Sequence, residues 1–145
     1  MNFARNLVVL MLPLLFAGCG TIKEMRTDMR NKDISLEFDQ SARGYIRMLR
    51  WHELDSAETT YVAPNLRDEY RKRIIAAGEV NIVDYRVKQM ECSPEKREGS
   101  VRVEFDYFRP PSVKIHTLED RQQWSYEGDA EHRVWRLLTL LPPFE

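Results

Sequence analysis

The spacing of apolar residues changes twice along this 145-residue chain. A continuous apolar run over residues 7–16 comes first and is followed by small residues and a cysteine. From about Ser35 to Gly78, apolar residues recur every three or four positions, which is typical of amphipathic helices. From Val80 onward they alternate with polar residues, which is typical of strands. The pattern therefore predicts helices first and strands afterwards.

Three helices are predicted in the middle of the chain. The first covers about residues 35–51, and its apolar residues form a single stripe: Phe38, Ala42, Tyr45, Ile46 and Leu49. The second covers about residues 55–61. The third begins at Pro64, a favourable residue for a first helical turn, and ends at Gly78, a favourable residue for a helix C-cap.

Four strands are predicted after the helices, over about residues 80–91, 101–107, 113–126 and 133–141. Residues 92–99 read as a charged hairpin loop between the first two. The alternation slips near residues 118–122, which predicts a β-bulge in the third strand. Helices followed by an antiparallel meander make an α+β layout, in which N-terminal helices pack on a curved antiparallel sheet.

The first nineteen residues have the three-part layout of a secretory signal. Arg5 supplies a positive charge, the apolar run follows, and Ala17 and Gly18 then leave the backbone open to a processing enzyme. A membrane-spanning helix needs about 20 apolar residues, so the run is too short for one. Pro13 would also break a helix in this run.

Residues 15–19, Leu-Phe-Ala-Gly-Cys, resemble the lipobox of bacterial lipoproteins, with Phe16 where Leu is usual. The resemblance implies that the thiol of Cys19 receives a diacylglycerol, that the signal is cleaved between Gly18 and Cys19, and that the new amine is acylated. The fatty acids, of the palmitate kind, would hold the protein to the membrane. The alternative is an ordinary secretion signal followed by an unrelated cysteine.

The resemblance also implies a location and a domain organisation. Gly20 after the cysteine, where Asp would retain the protein at the inner membrane, implies an outer-membrane protein facing the periplasm if the source is an enteric-like Gram-negative bacterium. Residues 1–18 are then a signal peptide, residues 19–33 a lipidated tether and residues 34–145 one α+β domain. The three-and-four spacing of the apolar residues in the tether also fits a short helix.

Composition narrows the classes of function. Lys and Arg number 22 and Asp and Glu 23, so no global field favours nucleic acid as a partner. A hydrophobic share of 43% and a charged share of 31% are those of a globular domain and exclude a wholly disordered chain. Two cysteines cannot form a dense disulfide framework.

Two segments near the end of the chain resemble the NTF2-like (cystatin-like) superfamily: Trp-Ser-Tyr at 124–126 and Val-Trp-Arg-Leu at 134–137. With the three preceding helices, the resemblance covers about residues 34–141. It implies a cone of helices on a curved antiparallel sheet. Many members use the interior of the cone as a pocket, and many others only assemble with partners.

No metal site or cofactor is expected. The three histidines, His52, His116 and His132, lack the spacing of a metal-binding pair, and no C-x-x-C occurs. Cys92 is the one thiol left once Cys19 carries lipid. Three interpretations of it remain open: a sheltered side chain, an intermolecular disulfide, or a catalytic thiol.

General acid–base chemistry is the remaining catalytic possibility. Catalytic cones that resemble ketosteroid isomerases and polyketide cyclases place an Asp or His near a Tyr inside the pocket. Possible counterparts here are Asp84, Asp106, Asp120 and His116, with Tyr45, Tyr85 and Tyr107. No motif selects among them, so no catalytic residue is assigned. Asp84 and Asp106 lie on the polar side of their strands, where solvation or pairing with Arg86 and Arg102 is expected.

Three functional hypotheses follow, and a non-enzymatic role is favoured because no catalytic motif occurs. In the first, a lipid-anchored envelope protein binds a partner protein or a small apolar ligand, through aromatic residues that alternatively only fill the core. In the second, an exported isomerase-like or cyclase-like enzyme uses a carboxylate or His with a Tyr. In the third, a structural subunit dimerises through its sheet within an envelope complex.

Overall fold

Helices precede strands in the structure, a computed structural model that describes residues 19–129 and 131–145. The elements are α1 (Cys19–Arg50), α2 (Leu54–Tyr61), α3 (Arg67–Ala77), β1 (Asn81–Ser93), β2 (Glu98–Phe108), β3 (His116–Glu127) and β4 (Val134–Leu137). The strands form one antiparallel sheet in the order β1-β2-β3-β4, with β1 and β4 at its edges. The prediction of an α+β fold with helices before an antiparallel sheet is confirmed.

The chain divides into two units, Met1–Asp33 and Ile34–Glu145, and α1 contributes residues to both. In the first unit, described from Cys19 onward, the residues are helical and Ile22, Met25 and Met29 are exposed. The predicted signal peptide lies outside the described residues. None of the helices in residues 19–129 and 131–145 is long and apolar enough to cross a membrane.

The predicted stripe of the first helix forms the helical side of the core. All five of its residues are buried: Phe38, Ala42, Tyr45, Ile46 and Leu49. The helix itself begins at Cys19 rather than near residue 35. Gly44, which lies inside the helix, has a packing role, because a Cβ at this position would overlap the hydroxyl of Tyr61.

The second and third helices end close to the predicted positions. Pro64 opens a short 3₁₀ turn that leads into α3. Gly78 follows α3 with a φ of 58°, and its backbone N–H donates to the carbonyl of Ile74 at 3.2 Å. Glycine adopts this left-handed conformation without steric cost, so the predicted C-cap is confirmed.

The sheet departs from the predicted strand boundaries and from the predicted bulge. The hairpin loop is shorter than expected, since β1 runs to Ser93 and β2 starts at Glu98, while β4 is confined to Val134–Leu137. The expected bulge near residues 118–122 is wrong, because β3 pairs with β2 in continuous register. The register shifts lie in β1 instead, beside Val83 and Lys88.

The last strand joins the sheet to the helices. Trp135 is buried, and its indole N–H donates to the backbone carbonyl of Ile34 at 3.1 Å. The backbone N–H of Ala63, in the segment between α2 and α3, donates to the carbonyl of Leu137 at 3.0 Å. Gly99 in β2 leaves room for the ring of Phe38, which a Cβ would overlap. The core therefore lies between the helices and one face of the sheet.

Candidate functional site

Polar residues occupy core positions in the middle of β3. Asp120, Gln122 and Trp124 alternate along the strand, face the helices and are buried. The side-chain amide of Gln122 donates to Oδ2 of Asp120 at 2.9 Å, and the indole of Trp124 donates to Oε1 of Gln122 at 3.2 Å. The three side chains thus form a hydrogen-bonded chain inside the protein, as buried polar groups require.

Two buried tyrosines belong to the same interior region. Tyr45 of α1 and Tyr70 of α3 are both fully buried, and their hydroxyl oxygens are hydrogen-bonded at 2.8 Å. Burial raises the pKa of both tyrosines, and the negative charge of Asp120 raises the pKa of each further. Both phenols are therefore neutral at physiological pH. We call Tyr45, Tyr70, Asp120, Gln122 and Trp124 the interior polar cluster.

Asp120 is the titratable member of the interior polar cluster near neutral pH. Burial raises its pKa to about 6, although hydrogen bonds from Gln122 and from the backbone of Arg121 act in the opposite direction. A carboxyl group in such an environment exchanges a proton under mildly acidic conditions. A general acid or base with a neighbouring phenol has this combination of properties.

A second buried carboxylate lies in α2. Glu58 is buried, and its two carboxylate oxygens accept hydrogen bonds from Arg71 of α3 at 2.6 and 3.3 Å. The guanidinium of Arg71 is about half exposed. The two-pronged ion pair compensates the charge of Glu58 and holds α2 against α3.

The pockets of the domain lie elsewhere. The largest described, ≈ 450 Å³, lies at the β1–β2 hairpin and includes Cys92 and Lys96. Another, of ≈ 320 Å³, lies between α1 and β1 and is lined by Ser35, Phe38, Asp39, Arg43, Met90 and Cys92. We call the second the α1–β1 groove. None of the four pockets described is lined by Asp120, Tyr45 or Tyr70.

The core-facing side of β1 is incompletely covered by the helices. By register, Tyr85, Val87, Met90 and Cys92 of β1 stand opposite β2 residues that are fully buried. Yet the four β1 residues are only partly buried or exposed, and Tyr85 is 37% exposed. The α1–β1 groove lies at the end of this strip that Met90 and Cys92 form, so the apolar surface of the domain continues there from its core to the edge strand.

Cys92 lies in β1 as a free, half-buried thiol. Burial raises its pKa, and hydrogen bonding with the Ser35 side chain opposes the rise. A catalytic thiol needs a lowered pKa, so a nucleophilic role is disfavoured. The predicted lipid-attachment residue, Cys19, is the first residue of α1, while the cleavage-site residue Gly18 lies outside the described residues.

The other acid–base candidates are dispersed. Asp84 and Asp106 lie on the outward face of the sheet, and Asp106 is bound by Arg86 at 2.6 and 3.0 Å. That ion pair holds the pKa of Asp106 at about 2 and confirms the expected pairing with Arg86. His116 starts β3 and lies beside Tyr107. No group of histidine, cysteine and carboxylate side chains within the described residues has the arrangement of a metal site.

The sheet aromatics mainly fill the core. Phe105, Tyr107, Trp124 and Trp135 are buried. The ring of Trp124 also makes edge-to-face contacts with Phe38, Tyr45 and Tyr61.

Sequence reasoning missed Tyr70, Gln122 and Glu58 as interior polar residues. For Gln122 a signal existed, because the interrupted alternation at residues 118–122 marked polar side chains at core positions rather than a bulge. By its spacing Tyr70 shares one side of the third helix with the apolar residues Leu66 and Ile74, and nothing in the sequence indicates that its hydroxyl meets that of Tyr45.

Comparisons with known proteins found no match to this chain among family models, curated proteins or solved structures. The fold and the interior polar cluster therefore define the molecule only as an α+β domain with an acidic, hydrogen-bonded interior.

Proposed function

We propose that this chain is an exported lipoprotein, anchored through Cys19 in the outer membrane and facing the periplasm, whose α+β domain binds a partner protein without catalysing a reaction. The observation that carries the anchor is the sequence of residues 1–19, in which a charged start, an apolar run and small residues precede a cysteine. Two or more acyl chains at Cys19 attach a protein durably to a bilayer.

The edge strand β1 supports the binding role. Within the described residues β1 pairs only with β2, so its other edge offers backbone N–H and C=O groups to an extended segment of a partner. The regular stretch Gln89–Ser93 follows the second register shift and borders the α1–β1 groove. A partner strand would pair along this stretch and place alternate side chains in the groove.

We include the NTF2-like cone in this proposal as the finer description of the fold. The order of three helices before four antiparallel strands supports it, and so does the packing of Trp135 from β4 against Phe38 of α1. A crystal structure would test it, because a cone requires the sheet to curve around α1, whereas a flat sheet would contradict it.

Metabolic labelling with a palmitate analogue tests the anchor. We expect the wild-type protein to carry the label and to sediment with membranes, and the Cys19→Ser variant to lose both properties. A Cys92→Ser variant is the matched control, since it removes the other cysteine and should keep the label. Label retained by the Cys19→Ser variant would show that the anchor assignment is wrong.

Site-specific photo-crosslinking tests the binding role. A crosslinking residue at Glu91, exposed in β1, should give a discrete product in cells that Met90→Glu, a charge in the groove, abolishes. The same residue at Glu127, exposed at the end of β3, should give none. A product with twice the mass of the chain would instead support the dimerising subunit, and equal products from both positions would contradict the proposal.

An isomerase-like enzyme is the second candidate, and the interior polar cluster favours it. A carboxyl group with a pKa of about 6 lies near a hydrogen-bonded tyrosine pair. In such enzymes a carboxylate removes a proton from carbon, and a tyrosine hydroxyl stabilises the resulting enolate. Hydrogen–deuterium exchange at the α-carbon of ketones, followed by NMR, would test it. Exchange that the wild type catalyses and Asp120→Asn abolishes would support the enzyme hypothesis. An exchange rate no higher than that in buffer alone would contradict it.

A further inference from the structure

The outward face of the sheet carries its side chains in rows that the strand register defines. Gln89 of β1 pairs with Arg102 of β2, and Arg102 pairs with Arg121 of β3. We call these three residues the arginine row. Two arginines directly opposite each other on neighbouring strands repel, so this register is unfavourable without a compensating anion.

The two arginines differ in how their charges are compensated. The guanidinium of Arg121 binds Glu119 at 2.8 Å, and its side chain is largely exposed. Nε of Arg102 is buried and has no hydrogen-bond partner among the described residues. The amide of Gln89, the third member of the row, donates to Glu91 at 2.6 Å. One positive charge and one buried donor of the row therefore remain uncompensated by the residues that the structure describes.

The adjoining row on the same face shows a compensated arginine. Arg86 donates to Asp106 at 2.6 and 3.0 Å and to Glu104 at 3.3 Å. Glu104, two positions from Arg102 along β2, also contacts Lys88 at 3.6 Å. The nearest carboxylate on the strand of Arg102 is thus engaged by other cations, so a buried donor of Arg102 is left for a ligand.

A small pocket lies over the arginine row. It has a volume of ≈ 170 Å³ and is lined by Gln89, Ser100, Val101, Arg102, Arg121 and Gln123. Pockets for drug-sized molecules start at about 300 Å³, so this one suits a single functional group rather than a whole metabolite. Its lining offers two guanidinium groups, two amides and one hydroxyl, all of which can donate to an oxygen anion.

We propose that the arginine-row pocket binds a singly charged oxyanion, a carboxylate or a phosphodiester, with the guanidinium of Arg102 as its principal donor. We expect a single negative charge on the ligand because Glu119 already neutralises Arg121, which leaves one uncompensated positive charge in the row. Guanidinium groups bind both kinds of oxyanion through paired, charge-assisted hydrogen bonds. The inference does not depend on the lipid anchor or on the partner-binding role.

NMR of the arginine Nε–Hε groups in the full-length chain, held in detergent micelles, tests the proposal directly. Acetate and dimethyl phosphate are the soluble probes, each titrated at constant ionic strength against chloride. We expect the Arg102 signal to shift saturably with at least one probe. In the variants, binding is followed by the Nε–Hε signal of Arg121, which lines the same pocket. Arg102→Gln should weaken binding by about tenfold or more, as expected for the loss of charge-assisted hydrogen bonds, and Arg102→Lys should retain only part of it.

Lys114→Gln is the matched control, because it removes one positive charge from an exposed loop away from the row. It should leave binding unchanged. We also expect Arg102→Gln to unfold at no lower temperature than the wild type, since it removes a like charge opposite Arg121. That measurement separates lost binding from lost folding.

The probes distinguish the sources of the oxyanion. Saturation by dimethyl phosphate identifies a lipid phosphodiester if flotation of the chain is also stronger on phosphatidylglycerol than on phosphatidylcholine vesicles and if Arg102→Gln reduces that difference. Saturation by acetate alone identifies a carboxylate. Shifts that are linear in both probes, or equal losses of binding in Arg102→Gln and Lys114→Gln, would overturn the proposal.

Discussion

Asp120 and Asp106 lie on neighbouring strands of one sheet, on its two opposite faces, and their pKa values move in opposite directions. Burial among tyrosines raises the pKa of Asp120 to about 6, whereas the guanidinium of Arg86 holds the pKa of Asp106 at about 2. On the inner face, packing decides where polar groups lie and they must bond to one another. On the outer face, ion pairs between side chains set the positions of the polar groups, and water screens the charges.

The two faces should therefore respond differently to substitution. Changes on the inner face remove buried contacts and should cost stability at any salt concentration. Changes on the outer face remove solvated ion pairs, and their effects should shrink in salt.

The largest effect should follow Trp124→Ala. The indole contacts three aromatic rings and donates to Oε1 of Gln122, so its removal leaves a cavity and a buried amide oxygen without its donor. We expect a loss of about 3–5 kcal/mol in the free energy of unfolding, measured by urea denaturation. Trp51→Ala, at a tryptophan that is 67% exposed, is the control and should change stability by less than about 0.5 kcal/mol. Similar losses of stability in both variants would contradict the expected difference between a buried and an exposed tryptophan.

The next effect concerns pH. The pKa of Asp120 is higher in the folded state than its ordinary value of 3.8, so the folded state holds the proton more tightly. Stability from this group is fully present below about pH 4 and is lost as pH rises through about 6, by about 3 kcal/mol in all. Asp120→Asn should abolish that decline in thermal unfolding measured from pH 4 to 7. An unchanged decline in the variant would mean that Asp120 ionises without penalty.

Tyr70→Phe should have a smaller effect. It leaves the buried hydroxyl of Tyr45 without the partner seen at 2.8 Å, at a cost of about 1–2 kcal/mol. Tyr85→Phe, at a tyrosine that is more exposed on β1, is the matched control and should be close to neutral. Equal destabilisation by the two changes would show that the hydrogen bond between Tyr45 and Tyr70 adds nothing measurable to the stability.

The smallest effect should follow Arg86→Gln on the outer face. Its partners are solvated, so we expect a slight loss of thermal stability that 1 M salt removes. The acid behaviour should change as well. The lowered pKa of Asp106 contributes stability that is present above about pH 4 and is lost as pH falls towards 2, and this acid-induced loss should be weaker in the variant. A loss of thermal stability that does not depend on salt would show that Arg86 behaves like the buried residues of the inner face.

The sequence predicted the order of elements because hydrophobic periodicity reports directly on which side of a helix or strand is buried. The stripe of the first helix is confirmed on this ground, whereas the cap at Gly78 is confirmed because glycine adopts a positive φ without steric cost. The bulge prediction failed at the interior polar cluster, where Asp120 and Gln122 occupy positions that periodicity reserves for apolar residues. Local patterns often fail in this way at functional or strained sites.

The candidate site was less predictable than the fold. Asp120 and Tyr45 were among the possible acid–base residues, but nothing in the sequence separated Asp120 from Asp84 or Asp106. The distinction depends on which face of the sheet the helices cover, and on the meeting of α1 with α3 through Tyr45 and Tyr70, 25 positions apart. Such contacts between distant segments leave no periodic trace in the sequence.

The hydrogen bond between Trp135 and Ile34 has a consequence for the order of folding. It joins residues 101 positions apart, and the segment between α2 and α3 is held by the same last strand. Contacts of such long range slow the folding of a domain, because the entropy of closing a long loop must be overcome before they form. A growing chain cannot complete its core until β4 has been synthesised. Until then, part of the apolar stripe of the helices remains exposed to solvent. Truncation before residue 134 should accordingly leave a chain that remains accessible to proteases along its whole length.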